Sequence, residues 1–307
     1  MRDSVIIDGL RSPIGINKGN LRGIRPDDLS SIVVKKLLSK NNNIEPSMYE
    51  DLVMGCAFPE GSQGGLMAKG VAVLSDLPET IAAKVVNRFC GSSMDAVHQV
   101  SQSIISGDSN AGIACGVEHM FNLENERYPG FGVPMMGYNP SLNPSLIEKE
   151  YYIDMGATAE NLAKDLSISR EEQEEFAVSS HIKAKHAQKS GSFDDEIIAI
   201  NTENGIVEKD SCIRPETTVE ILSKLRPVFD KSGTVTAGTS SPLTDGATVV
   251  LVCSEEFAQR HGIKPMARII GTAVSGCEPE YMGLGPIEAS KKALERAGLT
   301  LDDIDII

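Results

Sequence analysis

Lys84-Val85-Val86-Asn87-Arg88-Phe89-Cys90-Gly91-Ser92-Ser93-Met94-Asp95-Ala96 passes from a short apolar run, through a cysteine, into small residues that open a helix. Lys84–Val86 has the composition of a buried strand, and Gly91–Ile105 the pattern of a helix. Cys90 therefore falls on the turn between them, at or near a helix N-terminus. The first-turn N–H groups of a helix lack intrahelical acceptors, and the macrodipole is positive there. Such a place favours a thiolate over a thiol and can hold the oxyanion of an acyl transfer. Gly91 and Ser92 leave room for a substrate to approach. The arrangement follows the logic of a nucleophile elbow, with sulfur in place of oxygen. A buried structural cysteine among small residues fits the same turn, so the segment alone leaves both readings open.

Strand-like and helix-like segments alternate outward from this turn. Val5–Ile7 reads as a strand that ends in the turn Arg11-Ser12-Pro13-Ile14-Gly15. Asp27–Leu38 reads as a helix, with Leu29, Ile32, Val33 and Leu37 at helical spacing. Leu52–Met54 is a second strand, Gly61–Gly65 a turn, Leu66–Leu74 a helix and Ala111–Val117 a further strand. This order predicts an α/β fold with a largely parallel sheet. Residues 121–150, with Pro129, Pro134, Pro140 and Pro144, read as a long irregular loop. Helices follow at Glu160–Leu166 and Arg170–Lys189, the second with Ser169 as N-cap and Glu171, Glu172, Glu174 and Glu175 near its start. Residues 121–245 thus look like an insertion into the α/β domain. Val249–Cys253 resumes the strand pattern, and Met266–Val274 continues it. Pro286–Ala297 is a helix with proline at its start and Gly298 just past its end. The acidic loop and apolar pair of Asp302–Ile307 read as the opening of another strand, so the pattern predicts a domain that continues past Ile307.

Composition narrows the function classes. Apolar residues make up 41% of the 307, enough for a sizeable core. Lys and Arg number 29 against 43 Asp and Glu, a net charge of −14 with no basic face, which argues against a nucleic-acid partner. No apolar run approaches the roughly 20 residues of a membrane span, and the N-terminus has no signal-peptide pattern, so a cytoplasmic location is expected. Cys56, Cys90, Cys115, Cys212, Cys253 and Cys277 form no CxxC pair and no zinc-type cluster with histidine, so no metal is expected. Most of them should be small buried hydrophobes. His98, on the helix after Cys90, and His119, at a strand end, read as structural.

The Cys90 segment resembles the nucleophile motif of the thiolases, which cleave 3-oxoacyl-CoA with CoA or condense two acyl-CoAs. Further segments resemble the family in order along the chain. They are Arg11–Gly15, Gly116-Val117-Glu118-His119-Met120, Met155-Gly156-Ala157-Thr158-Ala159-Glu160-Asn161, Thr234–Ser241 with Asp245-Gly246-Ala247, and Met282-Gly283-Leu284-Gly285-Pro286. Arg214-Pro215-Glu216-Thr217-Thr218 is similar to the degradative, fatty-acid-oxidation branch. The resemblance implies the thiolase fold, two similar α/β halves in five layers, with the second half truncated here. Residues 1–120 and 246–265 would form the N-terminal half, 121–245 an inserted loop domain, and 266–307 the incomplete start of the C-terminal half.

By the same resemblance Cys90 is the catalytic nucleophile, and its own N–H is part of an oxyanion hole. Ser241 contacts the pantetheine arm of CoA, Arg214 lies near its adenine end, and Met155 and Met282 line the acyl pocket. CoA is a co-substrate and no further cofactor is implied. Asp154 departs from the pattern: some biosynthetic members carry histidine there beside CoA, and an acidic group near an anionic ligand is unfavourable. The family's Asn-Glu-Ala-Phe, Gly-His-Pro and Cys-x-Gly segments, which supply the activating histidine and the second cysteine, have no match here. The expectation is therefore that these residues alone do not turn over, since groups acting as a unit fail together. The alternatives are a biosynthetic acetoacetyl-CoA thiolase, a CoA- or partner-binding relative without turnover, and a cysteine hydrolase, which lacks a motif histidine. The implied assembly is a homodimer or tetramer, with a hydratase–dehydrogenase subunit as a possible partner.

Overall fold

The computed structural model describes residues 2–16, 18–121, 143–149, 151 and 153–307. In chain order the strands are β1 (Ser4–Arg11), β2 (Asp51–Gly55), β3 (Ala82–Val86), β4 (Ala111–His119), β5 (Ile200–Thr202), β6 (Gly205–Val207), β7 (Asp245–Ser254) and β8 (Ala267–Arg268). The helices are α1 (Pro26–Lys40), α2 (Met67–Leu74), α3 (Ser92–Ser106), α4 (Pro144–Glu148), α5 (Met155–Asp165), α6 (Arg170–Ser190), α7 (Val219–Leu222), α8 (Glu255–Arg260) and α9 (Gly285–Ala297).

Two compact units emerge. The first comprises Met1–Phe131, Gly191–Cys212 and Leu243–Ile270; the second comprises Gly132–Ser190, Ile213–Pro242 and Gly271–Ile307. Residues 191–212 lie inside the segment read as an insertion, yet they cluster with the first unit. Arg11 holds them there. Its backbone N–H donates to Glu196 and its carbonyl accepts from Ile198. Its guanidinium reaches Glu196 at 2.7 Å and Asp210 at 2.8 and 3.0 Å.

The first unit is built on a six-stranded sheet in the order β3-β2-β4-β7-β1-β8. Side chains alternate across it, as a period of two requires. Ile113, Cys115 and Val117 of β4, with Val249, Leu251 and Cys253 of β7, face α1 and α2 and pack on Leu29, Val33, Leu37, Met67 and Val71. Each fully buried Leu or Val of this layer stabilises the fold by about 1.5–3 kcal/mol. Val53, Ala114 and Val252 face the other way, against Ala96, Val100 and Ile104 of α3. The unit is therefore a helix–sheet–helix sandwich with the Cys90 helix forming one layer.

The sheet is mixed, which corrects the expectation of a largely parallel one. β2 pairs in parallel with β3 and β4, but β4–β7, β7–β1 and β1–β8 are antiparallel. A parallel neighbour needs a crossover, which α2 and α3 provide for β2, β3 and β4. β7 returns from a distant segment without one and runs back beside β4. The strand expected over 266–274 shrinks to Ala267–Arg268. Its ladder to β1 closes with Met266 N–H to Ile6 and Ile269 N–H to Ser4, and the backbone from Gly271 lies against α9 instead. The expected irregular loop at 121–150 falls mostly outside the described residues; within them it contributes Phe121 and α4.

The second unit is helical. α5 begins one turn earlier than its sequence pattern suggested because Asp154 caps it, accepting the Ala157 N–H at 2.9 Å. α6 is long and mostly solvent-facing, with Glu174 its buried residue. Arg170 ties α6 to the end of α7, bonding Glu174 at 2.7 Å and the carbonyls of Leu222, Ser223 and Leu225. α9 ends at Gly298 in the left-handed conformation (φ 68°), as its sequence signal predicts.

Candidate active site

β3 ends at Val86, Phe89–Gly91 makes one turn of 3-10 helix, and α3 starts at Ser92. Cys90 is exposed on that turn. The chain can turn so sharply because Phe89 takes a left-handed conformation (φ 46°), which is strained for a residue with a Cβ. Three groups hold it. Asn87 Oδ1 accepts the Phe89 N–H at 2.8 Å. Ser92 Oγ donates to the Phe89 carbonyl at 2.6 Å and accepts the Arg88 N–H at 2.8 Å. α3 has Gly91 as its N-cap, and among the described residues no side chain caps the helix end beside the sulfur by a hydrogen bond. Asp95, in the first turn, is buried between Arg88 Nε at 3.1 Å and Gln99 Nε2 at 3.0 Å. Because the strain is in the backbone, Phe89→Gly should be more stable than Phe89→Ala by about 1 kcal/mol, both having lost the ring. Urea denaturation of the two variants checks this.

α3 reaches this position through missing side chains on the strands. A Cβ built on Gly55, the last residue of β2, falls 2.3 Å from the Ser92 carbonyl carbon. One built on Gly116 of β4 falls 1.9 Å from Ser93 Oγ. Only glycine at these two places lets the N-terminus of α3 rest on the sheet.

The other cysteines divide by burial. Cys56, Cys115 and Cys253 are buried, half of the six where most were expected. Burial pushes the Cys56 and Cys253 thiols up to about 12 and raises that of Cys115 as well. None of the three is a thiolate at neutral pH. Cys212 is half-buried, and Cys277 is exposed with its sulfur 3.8 Å from the Met282 carbonyl. Cys253 also precedes a helix, at the end of β7, but it is buried; Cys90 is the one exposed on a strand-to-helix turn.

Behind the turn lies a buried polar cluster that composition did not reveal. Gln63 is fully buried; its amide donates to the Phe58 carbonyl at 2.7 Å and to Glu118 Oε1 at 2.8 Å, and accepts the His119 N–H at 2.6 Å. Glu118 Oε2 accepts the Ala57 N–H at 2.8 Å. Burial pushes the Glu118 carboxyl above the usual carboxylate range, against the pull of these hydrogen bonds. A carboxyl raised in the folded state stabilises fully below its unfolded pKa and loses that contribution as pH rises through its folded value. Wild type should therefore lose stability relative to Glu118→Gln as pH rises from the ordinary carboxylate value of about 4 towards the raised folded one. Urea unfolding across that range checks the sign, and a pH-independent difference would contradict it.

His119 and His98 were both expected to be structural. His119 is buried with Nδ1 3.7 Å from Asp245 Oδ1, and neither ring nitrogen has a hydrogen-bond partner among the described residues. Burial raises Asp245 against the pull of His119. His98 is half-buried on α3, and burial lowers its pKa. Neither histidine is hydrogen-bonded to Cys90 among the described residues.

The remaining expected site residues, Met155, Arg214, Ser241 and Met282, all belong to the second unit. All four are exposed. Met155 opens α5, and Met282 lies in the 3-10 segment Pro279–Leu284 that packs on the same helix. Asn161 Nδ2 donates to Glu280 O at 3.2 Å, and Tyr281 OH meets Asp165 at 2.6 Å. These anchors engage the far end of α5, about 10 Å from Met155 along the axis. The Arg214 N–H donates to His181 Nδ1 at 3.2 Å, tethering that segment to α6. The run Thr234–Ser241 is pinned by Glu160, whose carboxylate accepts the Thr234 and Val235 N–H groups at 2.8–3.0 Å and the Thr234 hydroxyl at 3.2 Å. Glu160→Ala should destabilise the protein by about 2–3 kcal/mol. Faster amide exchange at Thr234 and Val235 would report it. The Asp154 carboxylate, which sequence reading set against CoA, is occupied as the α5 cap.

Comparison with known proteins now decides the family. Residues 4–256 match the thiolase N-terminal domain, and residues 263–307 match the thiolase C-terminal domain. The chain belongs to the thiolase family. It is 45% identical to the 3-ketoacyl-CoA thiolase of Marinomonas sp. (strain MWYL1), covering 99% of this chain and 78% of that relative. It is likewise 45% identical to the 3-ketoacyl-CoA thiolase of Aliivibrio fischeri, covering 100% and 79%. The crystal structure of human mitochondrial 3-ketoacyl-CoA thiolase superimposes with a TM-score of 0.87 at 34% identity, covering 99% of this chain and 79% of that one. A CoA complex of the human mitochondrial enzyme matches equally, with a TM-score of 0.87 at 35% identity.

Within this thiolase, sequence reasoning singled out Cys90 and its turn but missed Gln63, Glu118 and Asn87 as a group. Glu118 was visible as an acidic residue at the end of an apolar strand. Nothing in the sequence linked it to residues 57–63.

Proposed function

We propose that Cys90 of this thiolase takes up the acyl group as an S-acyl intermediate in the cleavage of 3-oxoacyl-CoA with CoA, and that full turnover also needs the family's activating histidine and second cysteine, for which these residues have no match. The observation that carries this is the exposed Cys90 on a strained strand-to-helix turn, beside an uncapped helix N-terminus, in a chain of this family. Cys90 sulfur attacks the C3 carbonyl carbon, and the oxygen takes up the negative charge. Donors at the turn and the first turn of α3 are placed to stabilise that charge. As the carbonyl re-forms, the C2–C3 bond breaks; the electron pair stays on C2, which takes a proton and leaves as acetyl-CoA. CoA thiol then attacks the Cys90 thioester, giving an acyl-CoA two carbons shorter and a free Cys90 thiol.

Met155 and Met282 are proposed to line the acyl chain, Ser241 to contact the pantetheine arm and Arg214 to lie near the adenine end. All four are exposed, and the anchoring of their segments by Glu160, His181 and the Asp154 cap supports them as fixed binding elements. No further cofactor enters the scheme. The degradative direction rests on Arg214–Thr218 and on the likeness to 3-ketoacyl-CoA thiolases. A homodimer or tetramer is supported by β3, an outer strand of the sheet, and by Phe89 and Met94 exposed next to it. A hydratase–dehydrogenase partner and a cytoplasmic location belong to the same degradative reading. Six free cysteines are consistent with that location, and among the described residues no helix is long and apolar enough to cross a membrane.

Mixing the protein with 3-oxoacyl-CoA esters of several chain lengths, and mapping acylated peptides by mass spectrometry, tests the reading. Acyl mass on Cys90 with equimolar acetyl-CoA, discharged by added CoA, is the expected result. Acyl mass on another cysteine, or none, would refute it. Cleavage of acetoacetyl-CoA alone would favour the biosynthetic alternative.

A further inference from the structure

Asn87 Oδ1 holds the strained Phe89 N–H, and Asn87 Nδ2 donates to the Ala57 carbonyl at 2.8 Å. The N–H of that same Ala57 donates to Glu118 Oε2 at 2.8 Å. One hydrogen-bonded line therefore runs from a half-buried carboxyl at the end of β4, through a single residue, to the residue that aims Cys90. The Phe58 ring, next along, lies 6.4 Å from the Phe89 ring. Cys56 N–H is anchored to Val86 O at 3.1 Å, so residues 56–58 form a wall against the turn.

We propose that Glu118 is a positioning residue for Cys90, fixing the Ala57–Asn87–Phe89 contacts that hold the nucleophile's turn in its strained shape. The inference rests on the reading of Cys90 as the acyl acceptor.

The chemistry of the partners explains why a carboxylate is needed. Ala57 N–H, the Gln63 amide and the Cys56 thiol (3.8 Å) all present hydrogens to Glu118. A carboxylate offers only acceptors, so it satisfies them together. A glutamine would turn an NH2 towards donors and break at least one contact. Gln63, which bonds Glu118, the Phe58 carbonyl and the His119 N–H, braces the carboxylate from behind. Strained turns persist only where the surroundings over-determine them. Here the covalent chain at residues 87–92 supplies one half of that restraint, and Glu118 supplies the other through residue 57. Asn87 sits at the joint and is exposed, so it can be changed without opening the core.

The test uses the full chain with Asn87→Ala, Glu118→Gln and the double variant. Three quantities are read: the maximal rate of Cys90 acylation by acyl-CoA with its half-saturating concentration, the rate of Cys90 alkylation by iodoacetamide, and the melting temperature. Each single variant is expected to slow acylation about 10-fold, with the half-saturating concentration changed less than two-fold, as for a group felt in the transition state alone. The double variant should be no slower than the slower single one, because both break the same line. Multiplying effects in the double variant would overturn the proposal, as would an unchanged acylation rate in Asn87→Ala. A Glu118→Gln that melts earlier but acylates at the wild-type rate per folded molecule would reduce Glu118 to packing, and overturn it too. If Glu118→Gln fails to fold, Asn87→Ala alone decides. Should the wild type take no acyl group, the proposed function fails first. Alkylation rates of the same variants still report whether Glu118 governs the Cys90 turn.

Discussion

A Cys90→Ser variant is expected to lose acyl transfer by on the order of ten-thousand-fold, while melting within about 1 °C of the wild type. The two halves of this expectation have separate causes. Cys90 is exposed and packs into no core, so replacing sulfur by oxygen leaves no cavity and no buried polar group. The chemistry depends on the nucleophilicity of sulfur. A thiol ionises far more readily than a hydroxyl, so the serine oxygen needs help that the thiolate does not. The strained turn, the helix end and the proposed binding residues remain in place, so CoA ester binding should survive. The rate of acyl transfer from 3-oxoacyl-CoA to residue 90, mass analysis for a stalled acyl-serine and a thermal melt measure the three consequences. Retention of more than about one-tenth of the activity would move the nucleophile elsewhere, with exposed Cys277 as the next candidate.

Gly55→Ala is expected to cost about 3 kcal/mol of stability and to impair acyl transfer as well. The added methyl meets backbone, not a side chain that could swing aside. Its distances to the Ser92 carbonyl carbon, Ser92 oxygen and Ser93 nitrogen are 2.3, 2.4 and 2.4 Å. Either β2 bends or the N-terminus of α3 lifts off the sheet, and Cys90 hangs from that N-terminus. A lifted helix end loses the Ser92 clamp on Phe89 and displaces the sulfur together with its N–H groups. Gly70→Ala is the matched control. Gly70 lies inside α2 with nothing within 4 Å of the built Cβ, so alanine there should stabilise by about 0.5–1 kcal/mol. Urea denaturation and acylation rates on both variants distinguish the close approach from a general effect of replacing glycine.

The elements next to Cys90 were legible because each carries its own signal. Val85 and Val86 end at a polar turn, and the helix that follows closes at Gly107 in the left-handed conformation. Leu29, Val33 and Leu37 mark the buried face of α1 by spacing alone. Direction of pairing carries no such signal. β7 has the same apolar composition as β2, yet one runs antiparallel to β4 and the other parallel. The cap at Asp154 was misread for a related reason. Its carboxylate was weighed against an expected ligand, while the N–H that satisfies it lies three residues on.

By itself the sequence determined most of the local elements and the place of Cys90 at a strand-to-helix turn, because spacing, capping and turn chemistry act over a few residues. Tertiary structure alone decided three other features. Residues 191–212 join the first unit because Arg11 bonds Glu196 and Asp210 across nearly two hundred positions. α3 rests on the sheet because Gly55 and Gly116 leave two notches there. Glu118 reaches the Cys90 turn through Ala57 and Asn87. Each depends on hydrogen bonds or steric contacts between residues far apart in the chain, and geometry of that kind exists only once the sheet has brought them side by side.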